Sequence, residues 1–259
     1  MENVRPHPLV IVKLGDTFPH LSEDRGDFEH WIADGLGTTS LPVLVLDPRL
    51  GDTLPSPDTI AGAIVTGSHA MVSHREPWSE QTARWLATLV AHGTPLLGIC
   101  FGHQLLAHAM GGEAGDHSGG TEVGTVEITL TEAARGDALM RDLPSRFEVH
   151  VAHRQSALRL PDGAVLLASN AHEPHQAFRL GERAWGVQFH PEFDEATMCG
   201  YVDSMADDLS AKGVDVPALR DRVKATAIAA QLLGRFAQIT EEHDREHRNA
   251  TTETALRLR

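Results

Sequence analysis

Four short, nearly unbroken aliphatic runs constrain this chain more than any other feature: Leu9–Val12 (LVIV), residues 41–46 (LPVLVL), residues 61–65 (AGAIV) and Leu96–Ile99 (LLGI). Runs without polar alternation are strands buried on both faces, and such strands belong to parallel sheets covered by helices. Amphipathic segments separate them. Residues 28–36 read as a helix between the first two strands. Residues 80–91 place Ala83, Leu86, Ala87 and Val90 at helical spacing before Gly93-Thr94-Pro95 ends the pattern. Residues 13–26 read as an irregular loop. Strands alternating with helices in this way imply a mostly parallel, twisted sheet with right-handed crossovers.

From Thr121 the period changes to two, with Val123, Thr125, Glu127 and Thr129 alternating against Gly124, Val126, Ile128 and Leu130. Further strands are expected at residues 147–153, 165–169, 176–180 and 184–189, so a small antiparallel region adjoins the parallel sheet. Pro161-Asp162-Gly163 is a turn signal within it. After Pro191 the pattern turns helical over residues 195–212 and 217–238, with Pro217 suited to a helix start and Val223, Ala227, Ala230, Leu233 and Phe236 forming an apolar stripe. That stripe suits covering the sheet or forming a homodimer surface. Residues 240–259 are almost all polar and are expected to be disordered. The expected organisation is an α/β domain over residues 1–193, a helical extension over 194–239 packed on it, and a polar tail over 240–259.

Composition excludes several classes of function. Acidic residues outnumber basic ones by 36 to 22, a net charge of -14, which argues against a nucleic-acid footprint. Two cysteines cannot build a disulfide framework and suit a reducing cytoplasm. No apolar run approaches the length of a membrane span, and the first residues lack the pattern of an export leader. The glycine pairs 111–112 and 119–120 sit in no nucleotide-binding fingerprint, and His172-Glu173-Pro174-His175 has the wrong spacing for a helical zinc site. A soluble cytoplasmic protein with no cofactor and no metal is therefore expected. The tryptophans Trp78, Trp85 and Trp185 read as core or interface residues.

The chemistry concentrates at Cys100, where the fourth strand passes directly into an amphipathic helix between Gly98 and Gly102. A thiol there lies outside the C-terminal edge of the sheet, where open α/β folds place ligands. The free amides and positive end of the following helix favour thiolate, the nucleophilic form. A lone cysteine is more often a small buried hydrophobe, so the reading needs a base. His190, at the end of a predicted strand, offers one, with Glu192 two residues on to fix its orientation. One histidine among 16 means little alone. A strand parallel to that of Cys100, however, would bring the two ends together.

Three ordered segments, GICFGHQLLAHAMGG at residues 98–112, LASNAHEPHQAF at 167–178 and GVQFHPEF at 186–193, resemble the class I glutamine amidotransferases, in particular the glutaminase domain of GMP synthases and its stand-alone relatives. The resemblance runs from about residue 9 to 193 and implies a flavodoxin-like fold. It implies that Cys100 attacks a γ-glutamyl amide, that His190 is base and acid, and that Glu192 orients His190. Backbone amides of Phe101 and of the Gly67-Ser68 turn are then the oxyanion donors. Gln104, His153, Arg154 and Gln155 border the substrate. His103, close to the nucleophile on the helix, is the poorer choice of base. Two departures stand out: Val151-Ala152-His153-Arg154-Gln155-Ser156 replaces the family's Ser-His-Gly-Asp stretch, and Gly67-Ser68-His69-Ala70-Met71 replaces its Gly-Gly-Pro loop. The resemblance implies either an amidotransferase feeding ammonia to a separate synthase subunit, or a stand-alone hydrolase of a small γ-glutamyl conjugate. With no ATP pyrophosphatase motif in its 259 residues, this chain is not expected to make GMP alone.

Overall fold

The aliphatic runs become β1 (Leu9–Val12), β2 (Val43–Leu46), β3 (Gly62–Val65) and β4 (Leu96–Ile99), all parallel, in the spatial order β2-β1-β3-β4. The computed structural model describes residues 5–257. Helices α1 (Pro19–Arg25) and α2 (Phe28–Gly35) join β1 to β2, α3 (Pro77–His92) joins β3 to β4, and α4 (Phe101–Ala109) follows β4 after one residue. The segment read as an irregular loop thus contains α1, which starts on Pro19 and ends at Gly26 with positive φ.

The later strands are β5 (Glu113–Asp116), β6 (Glu122–Leu130), β7 (Arg146–His153), β8 (Gln155–Arg159), β9 (Val165–Ser169), β10 (Ala177–Leu180) and β11 (Ala184–Val187). They extend the sheet to nine strands in the order β2-β1-β3-β4-β11-β10-β9-β6-β7, while β5 and β8 form a separate antiparallel pair. The expected small antiparallel region is present, with β5 and β8 as additions. Their runs, EAGD and QSALR, lack the apolar weight that marks a strand in sequence. The decisive pairing is β4 with β11, parallel and in register with Gly98 opposite Gly186 and Ile99 opposite Val187.

Alternation along the strands divides the core into two layers. Leu9, Ile11, Ile64, Leu97 and Ile99 pack on one side with Ile32 and Leu36, and with Leu232, Leu233 and Phe236 of α8 (Ala227–Arg257). Val10, Val12, Ala63, Val65 and Leu96 pack on the other with Leu86 and Leu89 of α3 and Leu105 and Leu106 of α4. Trp185 and Trp85 are buried. The strand β2 departs from expectation: Val43, Leu44 and Val45 are 41%, 42% and 42% exposed. It is the outermost strand, with a neighbour on one side only, and an aliphatic run reads the same at an edge as at the centre.

Beyond β11 come α5 (Glu195–Ser204), α6 (Ala206–Ala211), α7 (Val216–Arg220) and α8. The expected helix from Pro217 is therefore two helices with a break before Ala227. The polar stretch from Thr240, expected to be disordered, continues α8 to Arg257; residues 258 and 259 lie outside the described residues. Polar contacts hold it. Thr240 is buried and donates to the Phe236 carbonyl at 2.8 Å, buried Asp244 contacts His7 Nδ1 at 2.8 Å, and Glu241 accepts from the Thr39 hydroxyl at 2.7 Å. Hydropathy carries no trace of such contacts. Among the described residues, no helix is long and apolar enough to cross a membrane.

Candidate active site

Cys100 occupies the single residue between β4 and α4, and its N–H donates to the Val187 carbonyl of β11 at 2.8 Å. Its backbone has φ 50 and ψ -99, a region side chains rarely adopt and one that costs roughly 1–3 kcal/mol. The glycines around it explain how that turn is held. A Cβ on Gly98 would lie 2.4 Å from the Gly102 carbonyl oxygen, and one on Gly102 would lie 2.6 Å from that of Val65. Only with hydrogen at both positions can α4 rest directly on the strands, which forces the chain to turn at Cys100. Phe101 is the first residue of α4, so its N–H has no acceptor within the helix.

Beyond β11 the chain delivers His190, whose N–H donates to the His150 carbonyl at 2.8 Å. Its Nδ1 meets Glu192 Oε1 at 2.7 Å, and both side chains are buried. The imidazole stacks on Phe193 at 4.1 Å between ring centres and, more distantly, on Phe28 at 6.2 Å. Burial disfavours a charge on this ring. The Glu192 carboxylate and the Cys100 sulfur, through charge and hydrogen bonding, outweigh that penalty and push its pKa up to about 10. The pairing of β11 with β4 thus brings the ends of the two strands side by side although more than eighty residues of chain separate them.

The loop after β3 closes over this pair. Thr66 Oγ1 accepts from the Leu14 N–H at 2.9 Å and donates to the Gly67 carbonyl at 2.9 Å. A Cβ on Gly67 would lie 3.0 Å from His190 Cε1, and one on Gly15 would lie 2.5 Å from Ser68 Cα. Close backbone packing therefore holds Gly67 against the imidazole and Ser68 against Gly15, despite the altered side chains of the loop.

The four residues expected to border the substrate line one cavity with Cys100. Gln104 donates through Nε2 to the Gln155 carbonyl at 2.7 Å and to Gln188 Oε1 at 3.0 Å. The Gln155 amide is bound to Ser73 and to Asp116. His153 is buried and spans the Gln155 carbonyl and Glu122, each at 3.0 Å. Its orientation is set from beneath by the segment 167–178: Asn170 and Gln176 also donate to Glu122, and Glu173 bonds Ser156. Burial would raise the Glu122 pKa, but the His153 hydrogen bond turns the shift downward, so the carboxylate is charged. Arg154 alone is exposed, its guanidinium 2.9 Å from Asp116.

His103, on the face of α4 that meets the sheet, is fully buried with its ring 4.9 Å from that of Phe178, and burial lowers its pKa to about 3. His103, His190 and Glu192 are not among the residues that line the cavity. Residues of the lining that sequence reasoning missed include Phe18, His69, Tyr201, Met205 and Asp208. Phe18 precedes α1 and the last three come from α5 and α6 or their junction, so nothing in their sequence neighbourhood connects them to Cys100. His69 was legible only as a departure in the loop.

A family model described as "Glutamine amidotransferase class-I" matches residues 23–200. The GMP synthase [glutamine-hydrolyzing] of Aeropyrum pernix is 36% identical over 185 residues, covering 71% of this chain and 32% of that protein. The gamma-glutamyl-L-1-hydroxyisopropylamide hydrolase of a Pseudomonas species is 31% identical over 192 residues, covering 70% of this chain and 63% of that protein. The chain thus spans about a third of the Aeropyrum GMP synthase. Among solved structures, a glutamine amidotransferase from Thermotoga maritima superposes with a TM-score of 0.69 at 21% identity, over 92% of this chain and 98% of that one, a likeness of fold.

Proposed function

The chain belongs to the class I glutamine amidotransferase family, and from that premise we propose that it cleaves a γ-glutamyl amide through a thioester on Cys100. The single observation that carries this reading is the junction of β4 and β11. It supports the reading because β11, which leads to an imidazole 2.7 Å from a carboxylate that favours its charged form, runs beside the strand that ends at a strained, buried cysteine. A binding module has no need for such an arrangement.

In the proposed reaction the Cys100 sulfur attacks the γ-carbonyl carbon, and the carbonyl π electrons move to oxygen. The Phe101 N–H and the amides of the Gly67-Ser68 turn stabilise that oxyanion; each such donor is worth about 3 kcal/mol in the transition state. His190 gives its proton to the departing nitrogen as the C–N bond breaks, which leaves the thioester and a free amine or ammonia. The neutral imidazole then takes a proton from water, whose oxygen attacks the thioester carbon; the C–S bond breaks and glutamate is released. Glu192 holds the imidazole in one orientation and favours its charged form. Gln104, with the backbone it fixes at Gln155, frames the glutamyl group, and His153 supports that wall. Arg154 is the cation within reach of the substrate carboxylate.

Free glutamine is the simplest substrate, and a synthase subunit that consumes the ammonia is the partner this reading implies. Cys100→Ser should reduce γ-glutamyl amide hydrolysis at least about 1000-fold with the thermal midpoint retained. Mass spectrometry of quenched wild-type enzyme should find the glutamyl adduct on Cys100. Undiminished turnover by the variant, or an adduct elsewhere, overturns the mechanism.

A further inference from the structure

The cavity at Cys100 has two kinds of wall. One is polar and comes from α4 and the β7–β8 junction: Gln104, His153, Arg154 and Gln155. The other is aromatic and sulfur-bearing: Phe18, His69, Tyr201 and Met205. Phe18, Tyr201 and Met205 all fall outside residues 23–200, the part of the chain that matches the family. His69, the fourth member of the wall, lies within that match.

Its position is set by a continuous stack that starts at the base. His190 stacks on Phe193 at 4.1 Å, Phe193 meets Tyr201 at 4.7 Å, Tyr201 meets Phe18 at 5.1 Å, and Phe18 meets His69 at 4.6 Å. The Tyr201 hydroxyl is tied to Thr17 Oγ1 at 3.0 Å, which holds α5 against the loop after β1. The nitrogen that leaves the tetrahedral intermediate must face His190, because His190 supplies its proton. Whatever that nitrogen carries is therefore directed toward the side of the cavity where this stack begins.

The chemistry of the wall is apolar. Burial lowers the His69 pKa and raises that of Tyr201, so both stay neutral. Asp208, the carboxylate in the cavity lining, is exposed and paired with Lys212 at 2.6 Å, and Asp27, which acts on both His69 and Tyr201, is held by Lys13 at 3.0 Å. Ammonia, the leaving group of glutamine, has no apolar surface with which to use such a wall.

Resting on the hydrolase reading above, we propose that the preferred substrate is an N-substituted γ-glutamyl amide whose leaving amine carries an uncharged apolar group, seated against Phe18, Tyr201 and Met205. Burying roughly two or three methylenes there is enough for a preference of about tenfold or more over glutamine.

The test compares kcat/KM for glutamine, γ-glutamylmethylamide, γ-glutamylisopropylamide and γ-glutamylbenzylamide, with wild type and two variants. Wild type should favour the isopropyl or benzyl amide over glutamine at least tenfold. Tyr201→Ala should lower that ratio at least tenfold. Tyr201 is buried and its loss can unfold α5, so Met205→Trp, a half-buried position whose larger ring fills the wall, is measured in parallel with thermal midpoints for both. It should lower the ratio by a similar factor. Equal or better turnover of glutamine by wild type, or a ratio unmoved by Met205→Trp, overturns this inference and reduces the wall to a seal against water, while leaving the hydrolase reading intact. Absence of turnover and of a Cys100 adduct with every amide overturns both.

Discussion

Two fully buried histidines lie within a few residues or one side-chain contact of Cys100, and the molecule holds them in opposite states. On the sheet-facing side of α4, His103 is packed against Phe178 and Gly186, and burial drives its pKa to about 3. Above the sheet edge, His190 suffers the same loss of solvent, yet its pKa rises to about 10. The difference lies in the neighbours. No carboxylate hydrogen-bonds the His103 ring, whereas His190 has Glu192 at 2.7 Å and the Cys100 sulfur beyond. Desolvation alone makes a histidine inert; desolvation beside an anion makes it a proton carrier held ready.

The sharpest way to break this contrast is to remove the anion. Glu192→Gln should cut γ-glutamyl amide turnover about 100-fold or more and bring the His190 pKa down sharply, as read by NMR of the imidazole protons. A His190 that still titrated near 10 in this variant would show that Glu192 is not what sets it. Next in size is Gly186→Ala. Its new Cβ would lie 2.8 Å from His103 Nδ1 and 2.9 Å from Phe178 Cε1, so overpacking should destabilise the fold by about 2–3 kcal/mol, seen as a lower denaturant midpoint.

The smallest effects are slopes of stability against pH, and the two histidines give them opposite signs. His103 binds its proton in the unfolded chain near 6.5 but not in the native one above about 3. Its contribution is fully present above pH 6.5 and is lost as pH falls, by about 1.4 kcal/mol per unit. His190 is raised, so its contribution is fully present below pH 6.5 and is lost as pH rises through about 10. Urea titrations should show the acid slope reduced by one proton's worth in His103→Asn and the alkaline loss reduced in Glu192→Gln. Buried His150, lowered to about 4 by burial and by His190, contributes to the acid slope in both proteins and cancels in the comparison.

Much of the architecture was legible because aliphatic runs and helical spacing are local properties. Each of the four N-terminal runs gave a strand, and the strand at β11 ended where its apolar residues did, apart from the last two. What was missed had no local signature. β5 and β8 pair through backbone bonds between unremarkable residues, and α8 continues past Thr240 through polar contacts to His7 and Thr39. β2 is exposed because it ends the sheet, a fact of strand order rather than composition.

The sequence by itself determined the chemical types present: a cysteine flanked by glycines at a strand-helix junction, a histidine and a glutamate two residues apart, and a loop rich in backbone donors. Local propensity and steric need confine those residues to those places whatever lies around them. Tertiary structure alone decided that the strand leading to His190 runs beside that of Cys100, through the parallel register of β4 with β11, and which distant side chains line the cavity, through the docking of α5 on the loop before α1. Both are contacts between segments distant in the chain. Their free energy depends on burial and shape across that distance, which no window of neighbouring residues contains.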